Sequence, residues 1–161
     1  MKQPGRALPA DSSDQGVRDL LRRYQRAIMH FSADELGSLY APDGVHEFGF
    51  VPLGHSPRYV GPQQVRDAYA QTWQEPAVDL VGIRDIAVHE TADPACLVDE
   101  WVAQARRRTD GELFSLAGVL VLTARKGLVQ HVRDYMDVFG LVIGTGRLRA
   151  LADRLEPDHP G

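Results

Sequence analysis

Cysteine is nearly absent: of 161 residues, Cys96 alone carries a thiol. One thiol excludes an intrachain disulfide framework and leads us to expect a reducing, cytoplasmic setting. A basic excess is missing too. Eighteen Lys and Arg stand against 22 Asp and Glu, a formal net charge of −4. That balance argues against a protein that grips nucleic acid on a broad basic surface. The local run Arg106-Arg107-Arg108 reads as a solvated strand end. No stretch reaches the roughly 20 apolar residues that cross a bilayer, so no membrane partner is expected. The opening residues are expected to be neither signal peptide nor anchor. The six histidines show no metal-binding spacing. Gly144-Thr145-Gly146 lacks the βαβ surroundings of a dinucleotide loop, and no Gly-x-Ser-x-Gly elbow occurs. Neither metal nor cofactor is expected.

What is present is the patterning of one globular domain. Residues 1–15 read as a flexible tail, 16–155 as the domain and 156–161 as a second tail. Between Gly16 and His30, apolar residues at Val17, Leu20, Leu21, Tyr24, Ala27 and Ile28 recur every three or four positions, an amphipathic helix. Ser32 caps a second helix, with Glu35 at the capping-box position; Leu39 and Tyr40 complete its apolar side and Pro42 stops it. A short strand follows at 45–51, then a loop over 52–58; His55 and Tyr59 are read as lying in a solvent-exposed loop, the alternative being a cover over the pocket mouth. Gly61-Pro62 opens a third helix that ends before Pro76. Four long strands remain: 78–90, 96–107, 112–124 and 128–139, with turns at Asp110-Gly111 and Lys126-Gly127. Residues 147–155 form a last helix. Three helices against a curved antiparallel sheet give an α+β cone with a central pocket beneath the helices.

One residue breaks its local pattern. Asp134 interrupts the apolar alternation of the final strand, and strands disfavour Asp. A carboxylate facing an apolar interior must be paired, protonated or used. Period two puts Gln130, Val132, Asp134 and Met136 on one face.

The element order, with Leu39-Tyr40-Ala41-Pro42-Asp43-Gly44-Val45, Tyr59-Val60-Gly61-Pro62-Gln63-Gln64-Val65-Arg66 and Gly127-Leu128-Val129-Gln130-His131-Val132-Arg133-Asp134-Tyr135-Met136-Asp137, resembles the nuclear-transport-factor-2-like superfamily and its SnoaL-like members. Within it, His89-Glu90-Thr91-Ala92-Asp93-Pro94 and Arg133 to Phe139 are similar to phenazine-biosynthesis proteins of the PhzA/PhzB type. The resemblance implies a homodimer joined through the outer face of the sheet. It also implies that Asp134 sits on the concave face as an acid/base. The histidine that phenazine-type proteins carry on the third helix falls at about Ala68. Ketosteroid isomerases of this fold would place a tyrosine at Tyr24, but their base falls on Phe48 and their second acid on about Gly118. Epoxide hydrolases of the limonene type would need Arg and Asp near Trp101 and Ala103, or a shifted register that brings in Glu100.

The expected function is a cofactor-independent, SnoaL-like cyclase or isomerase of secondary metabolism acting on a small apolar molecule, as in polyketide or antibiotic biosynthesis. The alternatives are a non-catalytic ligand-binding protein and an epoxide hydrolase. Candidate catalytic residues are Asp134 as proton carrier, His46 as proton shuttle and Tyr24 as oxyanion stabiliser. Phe48, Phe50, Trp101, Tyr40, Tyr69 and Trp73 are the candidate substrate-binding rings. Whether Asp99 or Glu100 assists Asp134 stays open, because adjacent residues of a strand face opposite ways.

Overall fold

The computed structural model describes residues 12–155; the tails expected over 1–11 and 156–161 lie outside the described residues. Helix α1 spans Ser12–Met29, α2 Ala33–Ser38 and α3 Gly61–Trp73. The strands are β1 Tyr40–Phe48, β2 Arg58–Val60, β3 Val78–Glu90, β4 Cys96–Arg107, β5 Leu113–Arg125 and β6 Leu128–Met136. Two further helices, α4 Val138–Gly144 and α5 Leu148–Leu155, close the described chain. The six strands form one curved sheet in the order β2-β1-β6-β5-β4-β3. All neighbours are antiparallel except β1 and β6, which run parallel.

Helix α1 covers the concave face because its stripe demands it. Val17, Leu20, Leu21, Tyr24 and Ala27 are all buried, and these positions fall on one side of a 3.6-residue helix. The helix begins at Ser12, so 12–15 is helical rather than tail. Ser32 accepts a hydrogen bond from the Glu35 amide, which satisfies one of the donors that a helix start leaves free. The stripe packs on Leu97, Leu122, Val129 and Val132, the buried floor of the sheet.

Several boundaries differ from expectation for identifiable reasons. Tyr40 opens β1 instead of ending α2. The strand accommodates Pro42 because its pairing with β6 is irregular between Tyr40 and Val45, and a bulge spares proline a ladder bond. β6 stops at Met136, and 138–139 belongs to α4. Asp137 ends the strand by capping that helix, its carboxylate accepting from the Gly140 amide at 2.8 Å. A second irregularity, between Thr123 and Ala124 opposite His131 and Val129, breaks the period of two. Val129 and Val132 are therefore both buried, and Gln130 is not part of the inward row. Arg107 is not simply solvated: it pairs with Asp110 and Glu112 and donates to the Gly144 carbonyl at 2.8 Å. It thereby fastens α4 to the β4–β5 hairpin.

Candidate functional site

The concave face and the helices enclose a cavity of about 270 Å³. The sheet cannot fill its own wide end, so α1, α3, α4 and the loop after β1 wall it in. Tyr24, Phe48, Tyr69, Trp73, Trp101 and Asp134 all border it. Trp101 lies flat there because it faces Gly118 across β4 and β5. A Cβ on Gly118 would stand 2.4 Å from the indole ring, so only glycine leaves room.

Asp134 points into this cavity. It aligns with Phe48 of β1 on one side and Leu120 of β5 on the other. Only 8% of the residue is exposed, and its Oδ1 has no hydrogen-bond partner. Burial pushes the carboxyl up from its ordinary 3.8 to about 7, opposed only by the nearby Met136 backbone amide. Desolvation penalises the charged form, so near neutrality this group populates both acid and base forms. Tyr24 is buried close by, its hydroxyl also without a partner. Burial first, then the neighbouring Tyr40, Tyr69 and Asp134, keep that hydroxyl firmly protonated.

His46 is fully buried and does not reach the cavity surface, contrary to its expected role as a proton shuttle. Its ring joins two tyrosines instead, with Tyr40 Oη 2.7 Å from Nδ1 and Tyr69 Oη 3.3 Å from Nε2. Burial, with smaller contributions from His55 and His131, lowers its pKa to about 3. The imidazole is thus neutral, with one donor and one acceptor nitrogen. One tyrosine donates to it and the other accepts from it. Tyr40 sits behind the cavity with His46, not in its wall, whereas Tyr69 borders it. Sequence spacing gives no hint of this bridge, since the tyrosines lie on different elements.

Two further placements differ from expectation. Phe50 follows the end of β1, is 64% exposed and rests against Tyr135 with ring centroids 6.4 Å apart. It belongs to the outer face and is no part of the cavity, because the chain has left the strand alternation before it. His55, expected in an open loop, borders the cavity: its Nε2 lies 3.0 Å from Thr72 Oγ1 and its ring meets Tyr59 and Tyr69. Tyr59 supports the loop by accepting from the Ser56 amide at 2.9 Å.

The choice between Asp99 and Glu100 is resolved by β4. Asp99 is fully buried in the cavity wall, while Glu100 faces out and meets His89 Nε2 at 2.7 Å. Gln25 of α1 donates to Asp99 Oδ2 at 3.1 Å. Burial and the adjacent Asp85 raise the Asp99 carboxyl to about 6. Among the described residues, no group of three or more His, Cys, Asp or Glu is placed to hold a metal ion.

This architecture matches a known family along most of its length. Residues 21–132 fit the SnoaL-like domain. The chain belongs to that family. An uncharacterised PhzA/B-like protein of Pseudomonas aeruginosa is 24% identical over 84% of this chain and 94% of its own length. A candidate isomerase of Bacillus subtilis superposes with a TM-score of 0.74 at 18% identity, covering 85% of this chain and 97% of that one. A candidate polyketide cyclase of Xanthomonas campestris superposes at 0.65 and 18% identity, covering 83% and 99%. At such identities the structural likeness speaks for the fold alone. The SnoaL-like chain thus shares its nuclear-transport-factor-2-like fold with these two proteins.

Proposed function

We propose that this SnoaL-like protein is a cofactor-independent cyclase or isomerase that works by proton transfer on a small, apolar, carbonyl-bearing molecule. The observation that carries the reading is the Asp134 carboxyl, turned into an apolar cavity with Oδ1 unpartnered. As carboxylate it takes a proton from the carbon next to the carbonyl. The electron pair moves to the carbonyl oxygen, where the Tyr24 hydroxyl donates a hydrogen bond to the enolate. In a cyclisation the enolate carbon attacks a second carbonyl of the same molecule; a carbon–carbon bond forms, the C=O π bond breaks and the resulting alkoxide takes the proton from Asp134. In an isomerisation a β,γ-unsaturated ketone gives a dienolate, which Asp134 reprotonates at the γ carbon, so in either case the group ends as the carboxylate it began as. Trp101, Phe48 and Trp73 hold the substrate in a reactive shape, a contribution that can reach several kcal/mol. Membership of the SnoaL-like family and the cyclase description of the Xanthomonas protein support the reaction class.

Exchange of α-protons tests this. The protein is incubated in D₂O with a panel of bicyclic ketones, and deuterium uptake is followed by NMR. The wild type is expected to accelerate exchange, more strongly as pH rises through 7, since the base form does the work. Asp134→Asn should lose roughly 100-fold or more, the usual scale of a positioned general base. Equal exchange by both proteins overturns the mechanism. Saturable binding without exchange points to the non-catalytic carrier. Oxygen-18 passing from water into a diol from an epoxide points to the hydrolase.

A further inference from the structure

The proton transfer above leaves one buried carboxyl idle. Asp99 faces Leu120 across β4 and β5, and Leu120 in turn faces Asp134 across β5 and β6. Two inter-strand steps of about 4.8 Å put the two aspartates roughly 10 Å apart at Cα. The floor between them is apolar, with Leu120, Trp101 and Leu116 in the same wall. α1 serves both ends through adjacent residues, since Tyr24 and Gln25 both border the cavity. The Gln25 amide nitrogen occupies Asp99 Oδ2 and also donates to Asp85 Oδ1 at 2.5 Å, at the exposed edge of the sheet. Asp99 Oδ1 accepts no hydrogen bond from an N–H or side-chain hydroxyl, although the residue is fully buried; the Asp85 carboxyl stands within hydrogen-bond reach of the Asp99 carboxyl.

We propose that Asp99 is a specificity-determining residue whose Oδ1 hydrogen-bonds a hydroxyl group carried by the substrate at the end away from its reacting carbonyl. This rests on the reading that the cavity binds the substrate. A buried carboxyl oxygen with no such donor favours a ligand that supplies one. Burial and the Asp85 charge hold Asp99 between its acid and carboxylate forms near neutral pH. A hydroxyl both donates and accepts, so it satisfies either form. A ketone oxygen satisfies only the acid, and a hydrocarbon satisfies neither. The substrate class is therefore an apolar ketone with a phenol or alcohol at its far end.

Binding of 1-tetralone and 6-hydroxy-1-tetralone tests the proposal without relying on turnover. Quenching of Trp73 and Trp101, both in the cavity wall, gives the two dissociation constants. The wild type should bind the hydroxylated ketone about tenfold or more tightly, the direction expected where a site is built to meet a hydroxyl. Asp99→Leu should bind both ketones alike. Asp99→Asn, which still offers a donor and an acceptor, should retain the preference. Equal affinities in the wild type, or a preference that survives Asp99→Leu, overturns the assignment. If neither ketone binds, this assignment and the substrate-cavity reading both fall. Preferential binding without α-proton exchange refutes the reaction and leaves the role of Asp99 standing.

Discussion

The cavity carboxyl proposed to carry the proton should cost the fold stability in a pH-dependent way. Asp134 has a folded-state pKa near 7 against an ordinary 3.8. Below about pH 4 both the folded and unfolded chains hold the proton, and the group is neutral in its effect. Between pH 4 and 7 the unfolded chain has released the proton and the folded chain keeps it, so stability falls as pH rises. Above pH 7 the penalty is complete. Three units at 1.36 kcal/mol each amount to about 4 kcal/mol. Asn at this position has nearly the same shape and no titration. The difference in unfolding free energy between Asp134→Asn and wild type should therefore shift in favour of the variant by roughly 2.5 kcal/mol from pH 5 to pH 8. Urea unfolding of both proteins at several pH values measures this directly. Asp99 is present in both, so its own titration cancels. A difference that stays constant across this range would refute the claim that burial raises the Asp134 pKa, and with it the supply of acid and base forms at neutral pH.

Three other outcomes follow from the same geometry. Replacing His46 by Phe strands the hydroxyls of Tyr40 and Tyr69, and should cost about 2–4 kcal/mol of stability in urea unfolding; an unchanged midpoint would show that the bridge is not formed. Gly118→Val should push the Trp101 ring out of place, weakening ketone binding and shifting tryptophan emission, whereas Ala117→Val on the outer face should do neither. The outer face exposes Phe50, Ile86, Tyr135 and Phe139 around one groove, and this apolar surface is proposed to join two copies. Sedimentation should then give twice the chain mass for wild type and a monomer for Phe139→Asp; a monomeric wild type at micromolar concentration refutes that pairing.

Much of the fold was legible because each element carries its own period. β3 and β4 begin and end where alternation and turn chemistry put them, and α1 follows its apolar stripe. Asp134 stood out for the same reason, as a charge where the local pattern calls for a hydrocarbon. β2 was missed because a three-residue strand exists only through its partner β1. α4 was hidden because Val138 and Phe139 suit a strand as well as a helix, and the decision falls to the Asp137 cap.

Residue order alone therefore settled most of the elements, the α+β class and the presence of a misfit carboxyl, all of which depend on neighbours a few positions apart. Long-range pairing decided the rest. Bulges moved side chains between faces, putting Val129 and Val132 inside together, and the strand-end turn sent Phe50 outward. Packing α1 and α3 on the sheet brought Tyr40, His46 and Tyr69 into one chain of hydrogen bonds and sealed Asp99 in the cavity wall. The Tyr69–His46 and Gln25–Asp99 contacts join residues 23 and 74 positions apart, and no local rule of period or spacing encodes which of them will meet.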